Sequence, residues 1–416
     1  MHRAIEGARR GTNLPRMGDF NQSVILDAVR RSPDGCSRVD LIDATGLSAQ
    51  TVSNIARRLL DSGLIVEAGK SGTGPGKPRT ILRLNPAGMY AAGVHIDPAV
   101  LTCVLLDLTG RVVEHSVRPT PVGQDPQQVV ASIQTELEQI ISRSAVPREK
   151  IVGVGVAAPG PVEIDEGMVI DPPLLLGWHR VPLRDWLARL TGLPVFVDKD
   201  VTAAAVAEAW AGGDTGAGSF VFYYVGTGIG AGVVLRDEVE RGSSGNAGEI
   251  GHIIVDPSGP PCSCGARGCV AVTCTPQALV AEAERRGVLP DTRLSSAASD
   301  VAVQFSRLCD LADLGNTAAL DIIEQSARRT ARAISVMTNM LDVDRVVIGG
   351  PYWRRLSAYY LRRVPVLLDE LSVTRSIRAV PLVGTGVGDD VGAIGAACLV
   401  LERTLSPSAT RLLLEG

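Results

Sequence analysis

The stretch "SFVFYYVGTGIGAGVVL", Ser219 to Leu235, decides the fold. An apolar run that reads as a buried strand meets glycines at every second position from Gly226 to Gly232, and the chain then enters a second apolar run. A glycine-rich turn after a strand marks a dinucleotide site only when it opens a helix. Here it opens another strand, so the spacing predicts a strand-turn-strand whose backbone amides could face a phosphate. Any glycine hairpin would look alike, and the surrounding sequence has to carry the rest.

The same scheme recurs upstream. "YAAGVHIDPAVLTCVLLDLTGRVVEHSV", from Tyr90, reads as consecutive strands joined by tight turns. Pro126 to Ser144 has helical amphipathic spacing, and "IVGVGVAAPGPV" is a buried strand ending in a glycine turn. "LPVFVDKDVTAAAVAEAW" gives a strand to Val197, acidic residues at its carboxyl end and an alanine-rich helix. Two similar halves of strands and crossover helices imply α/β architecture. Only 4% of the 416 residues are aromatic and 45 are glycine, so the core must pack small and branched side chains, as sheets covered by close-fitting helices do.

Charge divides the chain. Residues 1–88 hold 13 Lys and Arg against 8 Asp and Glu, a net +5, which leaves 28 against 37, a net −9, for the remainder. A basic end on an acidic body suggests a nucleic-acid-binding module in front of something else. Residues 1–18 lack periodicity and are expected to form a disordered basic arm. Residues 19–85 read as a winged helix-turn-helix. A helix from Phe20 to Arg31 is followed by a short one over Arg38 to Thr45, Gly46 makes the turn, and Ser48 caps a third helix with a stripe of Val52, Ile55, Ala56, Leu59 and Leu60. Its other face carries Gln50, Thr51, Ser53, Asn54, Arg57 and Arg58, and with Ser48 these are the expected contacts to double-stranded DNA. Lys70, Lys77 and Arg79 lie in or beside a Gly/Pro-rich wing, placed to meet phosphates or a narrow minor groove. The module ends at Asn85-Pro86-Ala87-Gly88.

"HIIVDPSGPPCSCGARGC" concentrates His252, Cys262, Cys264 and Cys269 in one Pro- and Gly-rich loop. No charged-then-apolar leader begins the chain, and no apolar run approaches the roughly 20 residues that span a bilayer. A cytoplasmic protein with no membrane association is therefore expected, and reduced thiols clustered with an imidazole point to metal rather than disulfides. Three thiolates and one imidazole complete a tetrahedral zinc set with no open position, so the zinc would be structural, with nearby Cys274 as the competing ligand. Cys36, Cys103, Cys309 and Cys398 stand in apolar or helical contexts and read as inert buried thiols.

"VGTGIGAGVVL", "GNAGEIGHIIVDPSGPPCSCGARGC", "VDKDVTAAAVAE" and "VDRVVIGGP" resemble the motifs of the ROK family of repressors, open reading frames and sugar kinases. The resemblance runs from about residue 20 to 404, and the front module is similar to that of the xylose-repressor and N-acetylglucosamine-repressor branch. It implies an actin-like (ribonuclease H-like) two-lobed sugar kinase fold behind the winged helix, with lobe 1 over 90–209 and 386–405 and lobe 2, with the zinc site, over 210–385. It also implies a ligand cleft between the lobes and assembly as a homodimer or homotetramer.

Departures from the family pattern shape the functional expectation. The kinases' DxGGT phosphate loop is here "HIDPAV", His95 to Val100. Pro98 offers no N–H, Asp97 brings negative charge toward a phosphate, and Ala99 lacks a hydroxyl, each working against nucleotide binding. Asp200 matches the kinases' general base and would survive as a vestigial base and hydrogen-bond acceptor, while Glu249 and His252 match sugar contacts. Lys199, Thr202 and Ala271 replace two asparagines and a glutamate of the family pattern. Lys199 is expected to pair with Asp198 or Asp200, or else to select an anionic ligand such as a sugar phosphate or sugar acid. The expectation is a transcriptional regulator of repressor type with a sugar or sugar-derivative effector and no kinase activity. The alternatives are an active ATP-dependent sugar kinase carrying a DNA-binding domain, and a regulator with no small-molecule effector.

Overall fold

Ser37 and Asp40 start the helix-turn-helix with a reciprocal capping box: the Ser37 hydroxyl accepts the Asp40 N–H, and the Asp40 carboxylate accepts the Ser37 N–H at 2.8 Å. The computed structural model describes residues 14–71, 78–121, 125–172, 175, 177–290, 298–373 and 375–405. Helix α1 (Leu14–Arg30) leads through β1 (Cys36–Ser37) to α2 (Arg38–Thr45) and α3 (Ala49–Asp61). Strands β2 (Ile65–Ser71) and β3 (Arg79–Leu84) form the wing, in the sheet order β1-β3-β2. Helix α1 begins inside the stretch expected to be a disordered arm. Pro15 in its first turn gives up an N–H that no helix start can pair, so the helix extends through it. Gly46 ends α2 at φ +68°, and the Ser48 hydroxyl accepts the Thr51 N–H to cap α3. Ile25, Leu26 and Val29 of α1 close the core over Val52, Ile55 and Leu59 of α3, while Leu60 is only partly buried.

Two sheets of one topology follow. The first is built from β4 (Tyr90–Ile96), β5 (Val100–Asp107), β6 (Val112–Pro119), β7 (Ile151–Ala158) and β10 (Val195–Lys199), in the order β10-β7-β4-β5-β6. Helix α4 (Pro126–Ser144), the small hairpin β8 (Val162–Glu163) and β9 (Met168–Val169), and α5 (Leu183–Thr191) connect these strands. The second sheet is built from β11 (Phe220–Val225), β12 (Ile229–Leu235), β13 (Glu238–Glu240), β14 (Arg345–Gly349) and β15 (Leu382–Gly384), in the order β13-β12-β11-β14-β15. In each, three antiparallel strands are extended on one side by two parallel ones. The stretch at Ser219–Leu235 is the first hairpin of the second sheet, with Val225 opposite Ile229. Lobe 2 adds α7 (Val270–Thr273), α8 (Pro276–Arg285), α9 (Ala298–Asp313), α10 (Thr317–Leu341) and α11 (Trp353–Leu371).

Helices α6 (Asp200–Ala211) and α12 (Val391–Leu405) lie at the junction of the sheets. A Cβ on Gly395 of α12 would sit 1.9 Å from the Ala203 carbonyl oxygen, and one on Gly232 of β12 would sit 2.4 Å from that of Val201. The glycine and alanine content is thereby explained, because backbones this close leave room for nothing larger. The boundary at Asn85–Gly88 is a docked turn. Asn85 donates to the Gly63 carbonyl at 2.7 Å, Pro86 accepts from Leu108, and Ala87 accepts from Lys150. One apolar core runs unbroken from Ile25 in α1 to Leu405 in α12.

Candidate functional site

Three sites emerge, one per region of the chain. On α3, the spacing that buries Val52, Ile55, Ala56 and Leu59 turns Gln50, Asn54, Arg57 and Arg58 to solvent, with Thr51 and Ser53 half-buried beside them. Gln50 donates to Asn54 at 3.0 Å, which aligns the two amides on one surface. Ser48 and Thr51 are committed to the cap, their hydroxyls 2.9 Å apart. Lys70 is exposed at the wing, beyond a bulge in the β2–β3 pairing, and Arg79 is exposed with Asp40 at 3.6 Å. Lys77 lies outside the described residues. The face offers amides and guanidinium groups at the spacing that reads base edges and phosphates in a major groove.

The second site is the cysteine loop. One ligand atom from each of His252, Cys262, Cys264 and Cys269 falls within 4.8 Å of all the others. Cys262 Sγ is 3.5 Å from His252 Nδ1 and Cys264 Sγ is 3.7 Å from Cys269 Sγ, far beyond a disulfide bond length. The loop is held by its own backbone: Cys262 N–H donates to Ala266, Gly268 N–H to Pro260, and Ile254 bridges Cys269. Hydrogen bonding from the Cys264 backbone draws the Cys262 thiol down to about 6, so a thiolate is at hand for a cation. Burial pushes Cys269 the other way, to about 12, and a cation beside it would favour loss of that proton. The isolated thiols Cys36, Cys103, Cys309 and Cys398 are all buried, as expected.

The third site lies where the β4–β5 and β11–β12 turns meet, at the place where the family resemblance implies a cleft. Asp97 is buried, and one of its carboxylate oxygens accepts the Ala99 N–H at 2.8 Å while the other accepts the Thr227 hydroxyl at 2.8 Å across the cleft. The His95 ring lies 3.3 Å from the Tyr224 hydroxyl. Asp200, first residue of α6, accepts the Val201 N–H at 2.7 Å, and burial raises its carboxyl to about 6 against the opposing pull of His95 and Lys199. Lys199 departs from the expected pairing. Its buried ammonium reaches neither Asp198 nor Asp200 but Glu249 at 2.5 Å, with the Ala247 and Asn246 carbonyls at 3.1 and 3.3 Å. The reason is local geometry. Asp198 is taken by Arg241 at 2.9 Å, and the Asp200 carboxylate folds onto its own helix start. A lysine has three N–H donors, and all three have acceptors. Thus two residues singled out as ligand contacts bind each other. Thr227 and Asn246 were not singled out in sequence; the only hint was Thr227's place within the glycine turn.

The ROK family model matches residues 91–403, and a MarR family model matches residues 13–72. A xylose repressor from Caldicellulosiruptor bescii is 24% identical over 373 residues, covering 89% of this chain and 92% of that protein. A glucokinase from Thermotoga maritima is 30% identical over 322 residues, covering 75% of this chain and 97% of that protein. The crystal structure of a ROK family transcriptional regulator, described as a homologue of the E. coli MLC protein, superposes with a TM-score of 0.76 at 25% identity, covering 96% of this chain and all of that one.

Proposed function

The chain belongs to the ROK family, and from that premise we propose that it is a DNA-binding transcriptional repressor whose cleft takes a sugar or sugar-derivative effector. The observation that carries this reading is the α3 face of Gln50, Asn54, Arg57 and Arg58, exposed on a winged helix that shares one apolar core with the two-sheet body. Two copies, as a homodimer or within a homotetramer, would present paired recognition helices to half-sites about one helical turn apart or a multiple of it. Operator and effector would then be reciprocally coupled. The described residues contain no helix long and apolar enough to cross a membrane, in keeping with a protein that meets DNA in the cytoplasm.

Zinc is the metal we assign to the cysteine loop. A tetrahedron with bonds of about 2.3 Å to sulfur and about 2.0 Å to nitrogen has edges of roughly 3.7 and 3.5 Å, the separations found between Cys264 and Cys269 and between Cys262 and His252. Four protein ligands close the shell, so the ion would brace the loop.

Kinase activity is read as lost. The β4–β5 turn that should cradle phosphate holds a carboxylate instead, and Asp97 already engages both the Ala99 amide and the Thr227 hydroxyl. Phosphoryl transfer depends on positioned donors and charge neutralisation, and here those donors serve an internal anion. The glucokinase relative and Asp200 favour the second reading, a sugar kinase with a DNA-binding domain. Selection of bound fragments from genomic DNA, followed by titration of the recovered duplex, tests the first reading. Arg57→Ala is expected to weaken binding by about 10-fold or more, the scale of one lost charged contact. A chain that binds no duplex at low salt, or that consumes ATP with any of a panel of hexoses and pentoses, defeats it.

A further inference from the structure

Resting on the reading of a DNA-binding head and an effector cleft, we infer that α6 couples the two and that Arg30 is the positioning residue through which the head senses it. One end of α6 is Asp200 in the cleft. Its last carbonyls, those of Ala209 and Trp210, accept hydrogen bonds from Arg30 Nη1 of α1 at 3.3 and 2.9 Å. The same guanidinium is steered by Asp27 at 3.0 and 2.7 Å and stacks 4.5 Å over the Trp210 ring. An arginine at a helix C-terminus meets unpaired carbonyls and the negative end of the dipole, so the bond is favourable as well as directional. Twelve helical residues span about 18 Å, a rigid path between the two sites.

The surroundings of α6 make it responsive to lobe movement. Val201 to Glu208 are all buried, pressed between α12 of lobe 1 at Gly395 and β12 of lobe 2 at Gly232. Near its far end, the buried Glu208 carboxylate accepts the Thr385 hydroxyl at 2.5 Å and the Gly386 N–H at 3.1 Å, where the chain returns from lobe 2 to lobe 1. A change in the angle between lobes must therefore shift α6 against one of them. The neighbouring Arg31 does not follow α6; it bonds Asp237 of lobe 2 at 3.2 Å. The last residue of α1 and the residue that follows it thus hold the central helix and lobe 2 separately. Any displacement of α6 relative to lobe 2 tilts α1, and α1 shares its core with the recognition helix α3.

A double-mutant cycle on operator affinity tests the coupling without an identified effector. Thr227→Val cuts the cross-cleft bond to Asp97 and serves as the lobe perturbation. It is expected to change the operator Kd at least 5-fold in the otherwise native chain and less than 2-fold when combined with Arg30→Met. Arg30→Lys keeps the charge but loses the Asp27 fork and should give an intermediate value; it also supplies the second background if Arg30→Met does not fold. An equal effect of Thr227→Val in all backgrounds, or no effect in any, overturns the inference. A native chain that binds no duplex defeats instead the DNA-binding reading on which the inference rests, and the first column of the cycle separates the two failures.

Discussion

The β4–β5 turn and the β11–β12 turn occupy the same place in two sheets of identical order, yet they carry opposite chemistry. The second holds Gly226, Gly228 and Gly230 and a hydroxyl donor at Thr227; the first holds Asp97 and Pro98, an acceptor and a residue without an N–H. The two turns close on each other, the carboxylate of one accepting the hydroxyl of the other. One hairpin architecture thus carries two different turns: the register from Tyr90–Asp107 to Ile96–Leu101 is regular, and the turn residues alone set the chemistry.

Removal of the zinc proposed for the cysteine loop should break the comparison most severely, because the second hairpin is bonded to the chain that leads into that loop. Ala231 N–H donates to Gly248, and Ala271 N–H to Gly251, so β12 and the loop share a backbone network. Cys269→Ser, or a strong chelator, is expected to cost on the order of 5 kcal/mol. Metal analysis should show the loss of about one zinc per chain, and hydrogen exchange should quicken around Gly226–Gly232 but not at Asp97–Val100. Uniform exchange in both turns would place the brace elsewhere.

Asp200→Asn probes the floor of the cleft between the turns. The folded carboxyl, raised to about 6, binds a proton that the unfolded chain releases near 3.8. The native state thus holds more protons between those values, and stability falls as pH rises through them. The variant lacks that loss, so it should gain roughly 2 to 3 kcal/mol over the native chain by pH 8 and nothing at pH 3.5. Denaturant titrations at the two pH values measure the difference, and a constant offset would refute the buried ionisation.

Thr227→Val leaves one oxygen of the buried Asp97 unpaired and should destabilise by about 2 kcal/mol, within the range for hydrogen bonds to charged groups. Thr227→Ser should restore most of it. Smallest of all, Arg31→Ala removes a half-exposed pair with Asp237 and should change stability by about 0.5 kcal/mol or less.

Much of this molecule is legible in its residues. The capped α2 and α3, the amphipathic Pro126–Ser144 helix, the strand pairs around both turns and the four metal-type ligands follow from periodicity, caps and spacing, which are local rules. The partner of Lys199 is not. Asp198 and Asp200 were its nearest acidic neighbours in sequence, but strand pleat and helix start turn them elsewhere, and Glu249 arrives from fifty positions away. The docked turn at Asn85–Gly88 and the seating of Arg30 on α6 are hidden for the same reason, because composition marks a boundary without saying whether it bends.

By itself, then, the order of amino acids determined which segments are strands, which helix faces are wet, where four soft ligands cluster and which turn carries a carboxylate and a proline. Tertiary structure alone decided that the turns bond each other, that Lys199 is neutralised by Glu249, and that one helix runs from the cleft to the base of the DNA-binding head. The reason is physical: backbone periodicity acts over a few residues, whereas the pairing of buried charges and donors is fixed only when packing excludes water and brings remote groups within about 3 Å of each other.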